Sequence, residues 1–296
     1  MSELPFVARP PGDHEAVVRV AHHAASHWGL PEPVLLRVGM NALFAVGSDV
    51  LLRIGHTTAP PEQALSLAEL LTKRGVPVAR HLLEPIVVEG YSVFAVERVH
   101  SHGPVDWCAV GAAVRRVHET PIADVVGRHP LPRGAEFPWW NTAVLLEEVD
   151  DLLDDGARAG LLANIREHGD WQTRVTPHVL CHGDVHPGNV VQSADGPVLL
   201  DWDLLCRAPA AWDHAAMLTW EQRWGGEAGA YVRFAEGYGR TLADDSGARS
   251  LAVLRNVAAT LMRVRASRTN PDARDEAQRR LAYWRGDTDA PQWNSV

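Results

Sequence analysis

Between Cys181 and Asp203 the chain reads CHGDVHPGNVVQSADGPVLLDWD, and no other stretch limits the fold as tightly. His182-Gly183-Asp184 opens a loop that Asn189 closes. Val190 and Val191 follow, Ala194-Asp195-Gly196 makes a turn, and Val198-Leu199-Leu200 leads to Asp201. Two apolar runs joined through Asp-Gly read as a hairpin. Two acids and an amide are therefore gathered within one local unit. A lone His-Gly-Asp is an ordinary turn in which the Asp bonds its own backbone. The complete spacing, with Asn189 and a strand-terminal Asp201, points to a site instead.

Phosphoryl transfer from a nucleotide to a hydroxyl needs few groups: a carboxylate near the acceptor oxygen, and oxygen ligands that hold magnesium against the phosphates. The hairpin supplies both kinds. Asp184 and Asn189 have the Asp-x4-Asn spacing of the kinase catalytic loop, and His182 stands where that motif has its His. On His182, Gly183, Asp184, His186, Asn189 and Asp201, the sequence resembles the aminoglycoside phosphotransferase family, whose signature is HGDxHxxN followed by an apolar strand ending in Asp. The resemblance runs from about Val34 to about Asp213. It implies a catalytic base at Asp184, a brace for the loop at His182, and Mg2+ ligands at Asn189 and Asp201. It also implies ATP as the donor and a hydroxyl on a small molecule as the acceptor. Asp213 matches a family Asp that braces the catalytic loop, and it is equally an ordinary first-turn acid favoured by the helix dipole. His186 and Asp203 stay open between site and scaffold, and Cys181 reads as a small buried apolar residue.

Composition narrows the alternatives. A net charge of -9 argues against a nucleic-acid polymer as partner, because phosphate contacts need clustered Lys and Arg. The three cysteines are odd in number and far apart, so they form neither a disulfide framework nor a zinc-spaced set, and a reducing cytoplasm fits them. The first eighteen residues lack the basic and apolar segments of an export signal, and no later run is apolar for long enough to span a membrane. Lys73 is the only lysine and sits in Thr-Lys-Arg-Gly, which excludes a P-loop kinase.

Taken in order, Asp13 to His27 has apolar residues at helical spacing, and His23 and His27 read as surface positions. Val34–Val38, Ala42–Val46 and Val50–Ile54, separated by short turns, read as an antiparallel meander. Arg53 lies on its third strand, where kinases carry the lysine that pairs with the α- and β-phosphates. It is read as nucleotide-binding, against a strand-end surface charge. Pro60 to Lys73 reads as a helix whose Glu62 and Glu69 are each candidates to pair with Arg53. Glu84–Val88 and Tyr91–Val96 form a hairpin that completes a five-stranded sheet. Glu97-Arg98-Val99-His100 then enters a Gly/Pro-containing connector. By the resemblance its backbone receives adenine, which makes Glu97 and Val99 cofactor-binding.

Beyond the connector the pattern is helical: 106–118, 141–153, 157–168, 210–224, 228–242, 248–265 and 274–284. The expected fold is α+β and bilobal, protein-kinase-like. A five-stranded antiparallel sheet forms an N-terminal lobe over residues 1–97, and a mainly helical C-terminal lobe spans 98–296. Trp139-Trp140, in a proline-flanked loop, are two tryptophans that do not both turn inward easily. Two other functions compete. A metallophosphoesterase would use Gly183-Asp184-Val185-His186, but the further metal motifs are missing. An inactive kinase-like binding protein would have lost a base or metal ligand, and none is lost. Residues 1–104 hold 10 acids and 8 bases, leaving 27 and 20 beyond them. The acidic excess therefore lies with the expected acceptor lobe, and the acceptor is expected to be cationic or amine-bearing.

Overall fold

The computed structural model describes residues 11–171 and 177–294. The expected absence of an export signal rests on a stretch whose first ten residues lie outside these. In chain order the elements are α1 (His14–His27), β1 (Val34–Val38), β2 (Ala42–Val46), β3 (Val50–His56), α2 (Glu62–Lys73), β4 (Ile86–Val88), β5 (Tyr91–Glu97), α3 (Trp107–Glu119) and α4 (Ile122–Val125). There follow α5 (Thr142–Val149), α6 (Asp155–His168), β6 (His178–Cys181), β7 (Val190–Ser193), β8 (Gly196–Leu199), β9 (Cys206–Pro209), α7 (Ala211–Trp224), α8 (Ala230–Tyr238), α9 (Ser246–Ala266) and α10 (Asp272–Arg285). The fold class is α+β. Among the described residues, no helix is long and apolar enough to cross a membrane.

The chain gathers into two compact units. The first takes Met1–Asp106, Thr120–Leu131 and Asn189–Leu204, and the second Trp107–Glu119, Pro132–Gly188 and Leu205–Val296. The stretch 181–203 is thus shared: its first eight residues belong to the second unit and the remainder to the first.

In the first unit the sheet is antiparallel in the order β1-β2-β3-β5-β4. Alternation sorts its faces. Phe44, Val46, Leu52, Ile54, Val93 and Ala95 pack with Val17, Val20, Ala21 and Ala24 of α1. Arg53, paired across the sheet with Leu43 and Phe94, is one residue out of step with that set and falls on the other face. Asp13 caps α1 by accepting from the backbone N–H of Glu15 and Ala16 at 2.9 and 3.1 Å. His23 and His27 are exposed on it.

The second unit is helical around Leu145, Val149, Leu161, Val257, Leu261, Leu281 and Trp284. Helices α3 and α8 meet backbone to backbone. A Cβ on Gly111 would lie 1.9 Å from the Phe234 carbonyl oxygen, and one on Gly237 would lie 1.7 Å from that of Cys108. Helix α8 stops short of the expected Leu242, because Gly239 takes a left-handed φ of 94° and its N–H caps the last turn. The antiparallel pair β6 with β9 was not legible as a pair. It sets Cys181 opposite Cys206, both of them free thiols. Trp139 is buried and Trp140 half-buried, in a cluster with Trp171 and Trp212, and Trp140 and Trp212 have ring centroids 4.5 Å apart. A short 3-10 turn at Pro138–Trp140 lets the adjacent rings meet edge to face while only Trp139 is buried.

Candidate active site

In the first unit the candidate residues begin with the hairpin of β7 and β8. Val190 pairs with Leu199, and the Leu200 N–H donates to the Asn189 carbonyl at 2.9 Å. The ladder therefore sets Asn189, just before β7, beside the exit of β8 that carries Asp201. Asp201 takes a left-handed φ of 61°, and among the described residues the only other non-glycine with a positive φ is Glu89. Asp201 Oδ1 lies 3.7 Å from Arg53 Nη2, and Arg53 donates to Asp203 Oδ2. Asn41 Nδ2 donates to the same Asp203 oxygen at 3.1 Å. Burial works against the Arg53 charge, but Asp203 and Asp201 outweigh it and push its pKa up. Burial likewise opposes ionisation of Asp203, and the Arg53 charge with the Asn41 and Arg53 hydrogen bonds holds that carboxyl below its ordinary value.

These partners correct the expectation for α2. Among the described residues neither Glu62 nor Glu69 pairs with Arg53; Glu69 lies 4.0 Å from Lys73 on an exposed helix face. The strand cation takes its acids from the segment after β8. Asn189, Asp201 and Asp203 offer oxygen donors alone, which suits a hard cation such as magnesium. Glu97 ends β5, with its N–H donating to the Arg80 carbonyl at 2.8 Å, and Val99 follows in the connector.

In the second unit the site is the loop after β6. Asp213, buried in the first turn of α7, holds that loop by its backbone. The N–H of His182 donates to Oδ2 and that of Gly183 to Oδ1, both at 2.8 Å. His118 Nε2 reaches Oδ2 at 3.0 Å, and its Nδ1 lies 2.8 Å from the Tyr238 hydroxyl. Burial opposes the Asp213 charge, but His118, His182 and the Gly183 N–H keep the carboxyl below its ordinary value. His182 is fully buried, and its Nδ1 accepts from the Asp184 N–H at 3.3 Å. His118, Cys181 and Asp213 lie within metal-binding distance of one another. The Asp213 oxygens are committed to protein donors, however, and burial raises the Cys181 thiol pKa far above its ordinary value, so the trio reads as scaffold.

Asp184 has partners at each oxygen. Arg255 Nη2 donates to Oδ1, and His186 Nε2 lies 3.4 Å from Oδ2. Burial opposes ionisation here too, but His186 and Arg255 together hold the carboxyl well below the usual carboxylate range. His186 in turn stacks on Trp220. The sequence reading brought forward His182, Asp184, Asn189, Asp201 and Arg53. It missed Asn41, His118 and Arg255. Only Arg255 left a signal, as a cation inside the apolar helical run LAVLRNVAATL.

A model of the phosphotransferase enzyme family matches residues 41–254. No curated protein is matched by sequence. Among solved structures, a spectinomycin phosphotransferase in complex with ADP and spectinomycin is 17% identical, with a TM-score of 0.66 over 94% of this chain and 95% of its own. An aminoglycoside 2'-phosphotransferase with GDP is 15% identical, with a TM-score of 0.68 over 93% and 99%. An amicoumacin kinase in complex with AMP-PNP, Ca2+ and Ami is 16% identical, with a TM-score of 0.67 over 95% and 96%. At such identities the likeness speaks for the fold, which is protein-kinase-like, and the sequence pattern speaks for the lineage. That pattern is matched from the turn before β2 to the middle of α9, and the chain belongs to the phosphotransferase enzyme family.

Proposed function

We propose that this phosphotransferase moves the γ-phosphoryl group of ATP to a hydroxyl of a small molecule. The observation that carries the reading is Asp184: an ionised carboxylate on a loop whose backbone is fixed by Asp213. In this reading Asp184 orients the acceptor hydroxyl and receives its proton. His182 keeps the loop in register, and Arg53 turns from its carboxylates to the nucleotide phosphates. Glu97 and Val99 offer connector backbone to the base. Asn189 and Asp201 would hold Mg2+, which when bound neutralises charge on the phosphates. Residues 1–97 serve as the nucleotide lobe and residues 98–296 as the acceptor lobe. The three free thiols suit a cytoplasmic enzyme.

The acceptor class is a hydroxyl compound bearing an amine, such as an aminoglycoside or a related antibiotic, which would make the enzyme a resistance factor. The acidic excess beyond residue 104 supports a cation on the acceptor. That cation would be met away from Asp184, whose own surroundings, Arg255 and His186, are basic. The test is turnover of ATP and GTP across kanamycin, spectinomycin, a macrolide and simple amino alcohols and sugars, with Asp184→Asn as control. Loss of a general base lowers kcat by about a hundred- to ten-thousand-fold while leaving nucleotide affinity in place. Near wild-type turnover by Asp184→Asn would remove the assignment. A neutral or anionic best acceptor, or capture of a cationic one that ignores ionic strength, would remove the charge argument.

A further inference from the structure

We propose that Arg255 is a positioning residue for phosphoryl transfer, clamping Asp184 to the backbone of its own loop. The inference rests on the reading of Asp184 as the base. Arg255 stands near the middle of α9, between buried Leu254 and Asn256 and within a turn of buried Leu251 and Ala258. Its side chain is only 15% exposed. A cation in such a place must be matched by carboxylate and carbonyl oxygens, since desolvation alone would expel it. The match lies on the catalytic loop. Nη2 donates to Asp184 Oδ1, Nη1 donates to the Gly183 carbonyl at 3.4 Å, and the guanidinium carbon lies 5.7 Å from the centre of the Trp139 ring. The planar fork thus holds a carboxylate and the peptide oxygen just before it, which fixes the Asp184 side chain relative to its backbone. Asp213 secures the same loop through its N–H groups, so the loop is held through donors and acceptors by two different helices.

The groups facing Asp184 are Arg255 from α9 and His186 and His182 from its own loop. An acceptor hydroxyl therefore meets a carboxylate whose orientation Arg255 and His186 already set. A carboxylate so paired is a weak base and a well-fixed hydrogen-bond acceptor. That suits a loose transition state, in which the nucleophile needs alignment more than early deprotonation. The acceptor oxygen bonds to the γ-phosphorus, and the bond from that phosphorus to the β-γ bridging oxygen breaks with its electron pair leaving on ADP. The hydroxyl proton passes late to Asp184 and then to solvent.

The test uses the full-length protein and MgATP hydrolysis with water as acceptor, read as phosphate release. Arg255→Ala is expected to lose about ten- to a hundredfold in kcat with KM for MgATP unchanged. The acid limb of its rate profile should move to higher pH, and added methylguanidinium should restore part of the rate. Arg255→Lys keeps the charge without the fork, so it should hold the acid limb while losing kcat. If the alanine variant fails to fold, the lysine variant and a 13C carboxyl titration of Asp184 decide. Wild-type kcat in Arg255→Lys with an unmoved carboxyl signal would overturn the proposal. So would an Arg255→Ala protein whose rate and acid limb match wild type while Asp184→Asn is inactive. Asp184→Asn hydrolysing at the wild-type rate would instead overturn the base reading and the clamp with it.

Discussion

Removing the Asp213 carboxylate tests how much of the second unit's stability is committed to holding one loop. Its two oxygens accept from the His182 N–H, the Gly183 N–H and His118 Nε2, and the residue is 1% exposed. Asp213→Ala leaves these donors facing a space that cannot supply water freely. An orphaned buried donor costs about 1–3 kcal/mol, and breaking a buried charged network costs about 3–5 kcal/mol, so roughly 4 kcal/mol is expected. For a unit of this size, where 1 kcal/mol moves Tm by about 2–4 °C, the melting temperature should fall by about 8–16 °C. Asp213→Asn keeps the shape and one acceptor oxygen but turns an NH2 toward a donor, and should fall between. The pH dependence has a definite sign. The folded-state pKa is depressed below the ordinary 3.8, so the stabilisation is complete above that value and is lost as pH falls through the lower folded value. The gap between wild type and Asp213→Ala should therefore narrow in acid. Differential scanning calorimetry from pH 7 down to pH 3 reads both effects. A Tm drop below about 2 °C at pH 7, or a gap that stays constant into acid, would refute the reasoning.

Three further outcomes are expected. Arg53→Ala should weaken MgATP binding by about ten- to a hundredfold, as loss of a charged hydrogen bond predicts, with Arg53→Lys recovering part of it; calorimetric titration giving wild-type affinity would return Arg53 to a structural ion pair. Asn189→Ala should need more magnesium for half-maximal rate and be partly rescued by it, while Asp201→Ala, which removes a charged ligand, should lose more; superimposable magnesium titrations would count against both roles. Gly237→Ala puts a methyl where the Cys108 carbonyl stands, so α3 and α8 must part at a cost of about 1–3 kcal/mol, and an unchanged urea midpoint would show that the contact yields without strain.

What could be read from sequence was local. The strands showed because apolar, β-rich runs are separated by short turns such as Gly39-Met40-Asn41 and Gly47-Ser48-Asp49, and Asp184, Asn189 and Asp201 showed because one hairpin carries them. Sequence-distant partners did not show. Arg53 is answered by Asp203, 150 residues later, and not by the helix acids that follow it. Arg255 reaches Asp184 across 71 residues, and His118 reaches Asp213 across 95. Such pairs are set by tertiary packing, which periodicity does not register. The ladder of β6 and β9 escaped because its strands are short and far apart in sequence, with no turn to announce the pair as Asp195-Gly196 announces β7 and β8. Helix α8 was drawn too long because Gly239 inside a run of helix formers reads as tolerable until its left-handed φ is seen.

The backbone of Asp201 sets stability and activity against each other. A left-handed residue with a Cβ costs roughly 1 kcal/mol that glycine would not. The chain tolerates that cost just beyond β8, at the carboxylate proposed to meet magnesium. A library sorted for heat resistance alone would therefore enrich Asp201→Gly, wherever relief of that cost exceeds loss of the Arg53 ion pair, and discard turnover in the same step. Directed evolution of this enzyme must select on both properties at once, and at this position the less heat-resistant residue is the one to keep.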